Sequence, residues 1–414
     1  QIVNISRERD GQFLPPLEGV RSPCSIIMNI QPFTINVAQS ILDDLHERLA
    51  HTRWPDEVQE AGWEYGTNMD YLKTLVAYWQ HRFDWRAQES ALNQFAHFRA
   101  QIDDFGIHFI HEHGQGPDPL PLIITHGWPG SFFEMIKIIP LLTDPGSHGG
   151  DPTDSFDVIV PSLPGFGFSD RPTVGGMTLI KTAELWARLM TEGLGYSRFA
   201  AAGGDIGSGV TQCLARAHPE FLVGIHLTFL GSSSSSADQP DLSEAEQHYL
   251  YAVQQWSRQE GAYEQLQATK PQTLAYGLND SPVGLAAWII EKFRSWSDCD
   301  GEIERRFSKD ELLTTIMIYW VTETLNSSIR TYYENAQTFS PLQARQYIDV
   351  PTGFALFPKE IEVPPREWVE RTLHIQHWTQ MPRGGHFAAL EESELLVEDI
   401  RAFFRPLRCV IERQ

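Results

Sequence analysis

The feature that most constrains the fold is a glycine-rich turn between a short apolar segment and a helical pattern. Residues 199–202 (FAAA) lead into residues 203–209 (GGDIGSG), and a helical pattern follows over residues 210–218. Glycines stand two residues before and two residues after Asp205. This spacing is typical of a sharp strand-to-helix turn, in which the central side chain projects outward and a nearby Cβ atom would clash. The alternative interpretation is that Asp205 only caps the following helix.

The side chain at the centre of this turn is a carboxylate. A carboxylate is already ionised at neutral pH, so it can attack carbon without a base that first removes a proton. If the turn is formed, Asp205 is therefore a candidate nucleophile.

The hydrophobic pattern around this turn alternates between strands and helices. Strands are predicted at residues 107–111, 120–125, 156–160 and 222–227, with helices at 132–139 and 179–194. Such alternation predicts an α/β fold with a mostly parallel central sheet and helices on both faces. Strand patterns return at 351–357 and 374–378, and a closing helix is predicted at 392–404.

Two helix-rich sections interrupt or precede the strands. Helices are predicted at 37–50, 69–83 and 88–98, and a helical, aromatic section extends from about 241 to 340 after a serine tract at 231–236, which reads as a flexible connector. We therefore predict four parts. They are an N-terminal arm and helical extension (1–104), the first part of the core (105–230), a helical cap (231–345) and the second part of the core (346–414).

Charge and cysteine usage limit the class of protein. The formal net charge of −22 disfavours nucleic acid and anionic membrane surfaces as partners. The four cysteines are scattered without zinc or disulfide spacing and fit a reducing compartment. No apolar run approaches the ~20 residues that span a bilayer, and no signal peptide is visible. We expect a soluble, cytoplasmic protein without an integral membrane span; a homodimer is left open.

A nucleophile at such a turn requires a base and an acid that orients the base, in the chain order nucleophile, acid, histidine. His386 follows two glycines after the last predicted strand, which places it at the same sheet edge as Asp205. Glu360 lies on the loop after the preceding strand, with Glu362 as its rival. The acid would accept a hydrogen bond from one ring nitrogen of His386, leaving the other to deprotonate water.

The segment 126–129 (HGWP) is the candidate for an oxyanion hole. It stands at the end of a buried-type strand upstream of the turn. The backbone N–H of Trp128 would be one donor, and the N–H of Ile206, the residue after the nucleophile, the second. The alternative is that this segment is only a tight bend.

Taken together, these motifs resemble those of epoxide hydrolases of the α/β-hydrolase superfamily, in particular the microsomal-type branch. The resemblance covers roughly residues 30 to 405, and the segments that carry it are 53–55 (RWP), 126–131 (HGWPGS), 203–205 (GGD), 278–287 (LNDSPVGLAA), 351–354 (PTGF) and 383–389 (RGGHFAA). It implies an α/β-hydrolase fold with a helical cap and a helical N-terminal extension. It also implies a nucleophile at Asp205, a base at His386 and an acid at Glu360.

The resemblance further implies two cap tyrosines that hold the epoxide oxygen. Tyr263 matches the first and Tyr332 the second, although Tyr333 is adjacent to the latter. With Trp128, these tyrosines would bind the substrate. The implied reaction converts an epoxide and water into a vicinal diol through an aspartyl ester. It requires no metal and no organic cofactor, so the expected partners are a small-molecule epoxide and water.

Two departures from the family pattern affect these expectations. Related enzymes often carry tryptophan after the nucleophile, where this chain has Ile206. Only the backbone N–H of that residue is needed, so we expect a different pocket shape with the same chemistry. Members of the branch also commonly carry an N-terminal membrane anchor; none is visible, so a soluble form is expected.

Two other functions are the alternatives. A haloalkane dehalogenase also uses an aspartate at the turn and a histidine, but its halide is typically bound by an indole after the nucleophile, which Ile206 cannot supply. A non-catalytic ligand receptor could use the same scaffold, since a fold does not determine a function. The receptor is disfavoured because Asp205, Glu360 and His386 are all present.

The preferred epoxide, its enantiomer and the ring carbon attacked are not determined by the sequence.

Overall fold

A single nine-stranded sheet passes through the part of the chain that the structure describes. The structure is a computed structural model that describes residues 28–231, 241–338 and 346–411, with side chains up to residue 408. The strands are β1 (Asn29–Pro32), β2 (His97–Ile102), β3 (Phe105–Glu112), β4 (Leu120–Thr125), β5 (Phe156–Pro161), β6 (Phe199–Gly203), β7 (Leu222–Leu227), β8 (Ile348–Leu356) and β9 (Leu373–Gln380).

The sheet is antiparallel at one edge and parallel elsewhere. Its order is β1-β2-β3-β5-β4-β6-β7-β8-β9. Strands β1, β2, β3 and β5 pair antiparallel, and every pairing from β5 to β9 is parallel. Strands β5, β6 and β7 are buried at every residue, as expected of strands covered on both faces. The prediction of an α/β fold with a mostly parallel central sheet is confirmed.

Fifteen α-helices accompany the sheet within the described residues. They are α1 (Gln39–Ala50), α2 (Met69–His81), α3 (Trp85–Leu92), α4 (Ile138–Thr143), α5 (Leu179–Arg188), α6 (Asp205–Ala217), α7 (Glu244–Gln259), α8 (Ala262–Thr269), α9 (Pro271–Leu278), α10 (Pro282–Ser295), α11 (Lys309–Thr322), α12 (Leu325–Thr338), α13 (Arg366–Glu370), α14 (Ala388–Glu391) and α15 (Ser393–Ile411). None of them is long and apolar enough to cross a lipid bilayer.

Helices α7 to α12 form the helical section between β7 and β8 in the chain. Within it, α8 packs against α12 and α9, and α10 packs against α11. Ser243 begins α7 with a capping box that also involves Glu246, so the start of this section is fixed locally. The serine tract predicted as a connector falls almost entirely on residues 232–240, which lie outside the described residues.

The N-terminal helices pack on this helical section. Helices α1 and α2 contact α10, and α2 and α3 contact α11. Nη1 of Arg48 lies 2.6 Å from a carboxylate oxygen of Asp280, and the hydroxyl of Tyr78 donates to Asp310 at 3.0 Å. These contacts join segments more than 200 residues apart in the chain.

The third predicted helix, at 88–98, is wrong in its bounds. Helix α3 begins at Trp85, because the Asp84 side chain caps it by accepting from two backbone N–H groups, and it ends at Leu92. The end of the predicted range belongs to β2, which pairs with β3 along its whole length. Tertiary pairing outweighs the local helical pattern there. The range 1–104 consequently contains β1 and β2 in addition to helices.

Candidate active site

Four parallel strands bring the predicted site residues to one edge of the sheet. Trp128 follows β4, Asp205 follows β6, Glu360 follows β8 and His386 follows β9. Because the carboxyl ends of parallel strands share an edge, residues from four distant segments meet there. The loops of Glu360 and His386 are also joined directly, by a bridge between Lys359 and Gly385.

Asp205 occupies the sharp turn that the glycine spacing predicts. It is the first residue of α6 and has a φ of +48°, in the left-handed region that aspartate and asparagine enter more readily than most residues. A Cβ on Gly207 would lie 2.0 Å from the carbonyl oxygen of Thr125, and a Cβ on Gly203 would lie 2.4 Å from Gly207. The strand and helix can approach this closely only because both residues are glycine.

Asp205, His386 and Glu360 form a contiguous series. Nε2 of His386 lies 3.6 Å from Oδ2 of Asp205. On the other side of the ring, Nδ1 donates to Oε1 of Glu360 at 2.5 Å. All three side chains are largely withdrawn from solvent, and the backbone N–H of His386 donates to the carbonyl oxygen of Trp296 at 2.8 Å. The imidazole is therefore held between two carboxylates.

The charges of these groups act on one another strongly. Burial by itself lowers the pKa of His386, but the carboxylates of Glu360, Asp205 and Glu134 outweigh burial and raise it to about 9. Burial raises the pKa of Asp205, while His386 and the N–H groups of Trp128 and Ile206 act in the opposite direction. These three groups favour the carboxylate form, which is the form that can attack carbon.

The two predicted oxyanion donors point at the Asp205 carboxylate. The N–H of Trp128 donates to Oδ1 at 2.8 Å, and the N–H of Ile206 also donates to this carboxylate. Trp128 is buried, and its indole stacks on the ring of Tyr263 with centroids 5.4 Å apart. The same atoms that hold Oδ1 could hold negative charge developing on it.

Two tyrosines from the helical section face Asp205 across a cavity. Tyr263 on α8 and Tyr332 on α12 lie with ring centroids 6.1 Å apart, and both line the same cavity as Asp205. Burial, together with the charge of Asp205, raises the pKa of each phenol, so both remain protonated at neutral pH. Tyr333, in contrast, is 40% exposed and is not among the residues that line the cavity.

The two candidate acids have different partners. Glu360 contacts His386, whereas Glu362 accepts a hydrogen bond from the hydroxyl of Tyr249 at 2.7 Å. Burial raises the pKa of Glu362 to about 7. The structure therefore brings Glu360 to the imidazole and places Glu362 on the cavity wall.

Sequence reasoning missed two residues of this site. Glu134 is close enough to His386 and Asp205 for their charges to act on it, and burial raises its pKa to about 8. Its position as a single acid within the apolar run 132–136 (FFEMI) is the sequence feature that indicates a buried carboxyl group. Trp296 contacts the rings of both Tyr263 and His386, at 5.1 and 5.2 Å between centroids. Nothing in its sequence context distinguishes it from the other tryptophans.

The cavity has a volume of about 370 Å³ and is bounded by α6 on one side and by α8 and α12 on the other. This volume lies within the range of small-molecule sites, ~300–1,000 Å³. In the ranges 28–231, 241–338 and 346–411, no group of three or more His, Cys, Asp or Glu side chains is arranged so that it could hold a metal ion. The arrangement brings a carboxylate, an imidazole and two neutral phenols close together at this cavity.

Comparisons with known proteins show the family of this chain and its fold. Residues 30–135 match the family model described as epoxide hydrolase N terminus, and residues 121–265 match that of the alpha/beta hydrolase fold. A Stigmatella aurantiaca protein provisionally named epoxide hydrolase is 46% identical, covering 92% of this chain and 86% of the relative. Epoxide hydrolase 1 of Oryctolagus cuniculus is 41% identical, covering 93% of this chain and 90% of the relative.

A solved structure shows the same architecture. The crystal structure of juvenile hormone epoxide hydrolase from Bombyx mori superposes with a TM-score of 0.84 at 28% identity. The match covers 92% of this chain and 96% of the other. The similarity thus extends over the sheet and the helical section that carries the two tyrosines.

Proposed function

This chain belongs to the epoxide hydrolase family of the α/β-hydrolase fold and is an epoxide hydrolase, and from this premise we propose which of its residues perform the reaction. Asp205 is the nucleophile, His386 the base and Glu360 the acid that positions the base. The observation that carries this assignment is the position of the His386 imidazole between the carboxylates of Asp205 and Glu360. Because the chain belongs to this family, we no longer consider the haloalkane dehalogenase or the non-catalytic receptor.

In the first step, a carboxylate oxygen of Asp205 attacks one carbon of the oxirane. The bond from that carbon to the ring oxygen breaks, and its electron pair stays on the oxygen. Tyr263 and Tyr332 donate hydrogen bonds to this oxygen, and one of them supplies a proton. The products are a hydroxyalkyl ester of Asp205 and a tyrosinate, which is reprotonated from His386 or solvent.

In the second step, His386 removes a proton from a water molecule as the water attacks the ester carbonyl carbon. The N–H groups of Trp128 and Ile206 stabilise the oxyanion that forms. When the carbonyl re-forms, the bond to the alkyl oxygen breaks, the leaving oxygen takes a proton from His386, and the diol departs. The second proton of the water passes from the Asp205 carboxyl to His386, which regenerates Asp205 as a carboxylate with one oxygen derived from water.

The charges of the site link the two steps. Asp205 is one of the anions that raise the pKa of His386 to about 9 in the free enzyme. Esterification removes this anion, so the pKa of His386 falls and a larger fraction of the imidazole is neutral at a given pH. The base is therefore activated by the step that precedes its use.

Replacing either cavity tyrosine with phenylalanine should slow ester formation. Each of the variants Tyr263→Phe and Tyr332→Phe removes one proton donor while leaving the ring, so we expect a loss of roughly 10- to 100-fold in the rate of Asp205 alkylation. The double variant should lose roughly 10²- to 10⁴-fold, the usual size of general-acid catalysis. Stopped-flow measurement of ester formation with styrene oxide checks this. Tyr333→Phe is the matched control, and an equal loss in it would contradict the assignment.

Replacing Glu360 with glutamine should lower the pKa of His386 below about 9, because the charge of Glu360 is the largest influence raising it. The imidazole then loses its proton at a lower pH, and NMR titration of its ring signals reports the change directly. We also expect kcat to fall roughly 10²- to 10⁴-fold, as when the orienting acid of a catalytic triad is neutralised.

The matched control for this experiment is Glu362→Gln, which removes an equivalent charge from the neighbouring loop position. We expect it to leave the His386 titration nearly unchanged, because Glu362 contacts Tyr249. A His386 titration that responds to Glu362→Gln and not to Glu360→Gln would reverse the assignment of the acid.

The cellular location, the domain boundaries and the oligomeric state are the remaining proposals. We propose a cytoplasmic location, supported by the unpaired thiols of Cys213 and Cys299, since secreted proteins usually pair their cysteines. We propose that the chain divides into four parts after residues 104, 230 and 345. The insertion of α7–α12 between β7 and β8 supports this division. A homodimer stays a prediction, which light scattering of the purified protein checks.

A further inference from the structure

The active-site cavity continues away from Asp205 along one face of α6. The helix contributes six lining residues at helical spacing, namely Asp205, Ile206, Gly209, Gln212, Cys213 and Arg216. Residues three and four positions apart share a helix face, so the cavity is a slot that follows this helix. Arg216 comes eleven residues after Asp205, which corresponds to about 16 Å at a rise of ~1.5 Å per residue.

The charges along the slot are segregated. Asp205, Glu264 and Glu362 all line the slot, and they are close enough to influence one another. Burial raises the pKa of Glu264, and the charge of Asp205 raises it further. The charge of Glu264 in turn raises the pKa of Glu362 beyond the effect of burial. Arg216 is the basic residue that lines the slot within the described part of the chain. An anionic group is therefore disfavoured next to Asp205 and favoured at the Arg216 end.

Much of the slot wall is apolar, although Gln212 and Asn335 also line it. Ile206 and Gly209 line it from α6, and Leu179, Leu230 and Ala268 line it from the surrounding elements. A hydrocarbon chain fits such a wall, because its burial there is favourable and it demands no hydrogen bonds.

The guanidinium of Arg216 has weak partners within the described residues. Its Nε donates to the carbonyl oxygen of Gln346 at 3.4 Å, and its side chain also contacts the thiol of Cys213. It makes no ion pair with a carboxylate in that part of the chain, and burial lowers its pKa. A partly buried cation without a counter-ion is unfavourable, and a planar carboxylate would satisfy the guanidinium donors in pairs.

We propose that Arg216 is a specificity-determining residue that binds the terminal carboxylate of a long-chain epoxide, whose ring lies at Asp205 and whose hydrocarbon chain lies along α6. The inference rests on the proposed role of Asp205 as nucleophile. The side chains of a helix lean toward its N-terminus, so the guanidinium lies nearer to Asp205 than the helical rise alone indicates. A mid-chain epoxide of a fatty acid is the class of substrate that fits this span.

The test compares three substrates: a mid-chain epoxide of stearic acid, the methyl ester of the same compound and styrene oxide. For the wild-type enzyme we expect a lower KM for the acid than for its methyl ester. Arg216→Gln should raise KM for the acid roughly 10- to 100-fold, the usual effect of losing a charge-assisted hydrogen bond, with kcat little changed. KM for the ester and for styrene oxide should not change, and Arg216→Lys should recover part of the loss.

Arg258→Gln is the matched control, because it makes the same change in net charge at an exposed position on α7 outside the cavity. Styrene oxide turnover shows that each variant is folded and reports on the proposed function independently. Equal KM values for the acid and its ester in the wild-type enzyme would overturn the inference alone. So would an Arg216→Gln variant that raises KM for all three substrates alike, which would indicate a structural role.

Discussion

Replacing Asp205 with asparagine is expected to lower kcat for diol formation by roughly 10⁴-fold or more, the scale on which loss of a covalent nucleophile acts. Asparagine is the suitable substitute, because it tolerates the φ of +48° at this position and its amide oxygen can still accept from the N–H of Trp128. The variant should therefore fold normally while it loses the carboxylate. Diol formation from styrene oxide and a long-chain aliphatic epoxide measures the effect, with Asp205→Ala in parallel.

A single turnover in water labelled with oxygen-18 shows whether the diol forms through an ester of Asp205 or by direct attack of water on the epoxide. If Asp205 forms an ester that water attacks at the carbonyl carbon, the first diol released carries unlabelled oxygen and the label enters the Asp205 carboxylate. Label in the first diol would instead mean that water attacks the epoxide directly. This outcome, or retained diol formation by Asp205→Asn, would contradict the role of Asp205.

Replacing His386 with glutamine should separate the two steps. Asp205 needs no base in order to attack, so the variant still forms the ester, but it lacks the imidazole that deprotonates water. We expect the intact mass of the protein to rise by the mass of one substrate, and kcat to fall roughly 10⁴-fold, as after loss of a triad histidine. Mass spectrometry of the intact protein and of its peptides measures the adduct and locates it on Asp205.

His374→Gln is the matched control, because this histidine lies on β9 and its ring is hydrogen-bonded to the backbone of Asp349, away from the cavity. It should accumulate no adduct and retain full activity. The double variant of Asp205→Asn and His386→Gln should also remain unmodified. An adduct in this double variant would place the nucleophile elsewhere.

The core of the fold could be predicted because its signals are local. Strands such as β5 and β7 are mostly apolar, and glycines around Asp205 mark the turn that begins α6. Strands β1 and β2 were not predicted, because β1 is mostly exposed, β2 is fully buried at only three of its six residues, and each depends on its neighbour in the sheet. Their segments carry little pattern of their own, so only the sheet determines that they are extended.

The site was predictable to the extent that its residues occur in motifs at strand ends. Asp205, Trp128 and His386 stand in such motifs, and the family resemblance pointed to Tyr263 and Tyr332. The partners of Glu360 and Glu362 depend on how two loops meet, which no local pattern encodes. The positions of Glu134 near His386, of Trp296 beside Tyr263 and of Arg216 at the cavity likewise follow from packing between elements that are distant in the chain.

The packing of the N-terminal helices on α10 and α11 has a consequence for the order in which the chain can fold. Arg48 and Tyr78 meet partners 232 residues later in the chain. At a synthesis rate of ~5–20 residues per second, roughly 10 to 50 s pass before those partners leave the ribosome. Helices α1 and α2 can contact each other during that interval, but the surfaces that pack on α10 and α11 stay uncovered. The section that is synthesised first is therefore buried among the last, which makes it the part of the nascent chain that chaperones have the longest time to bind.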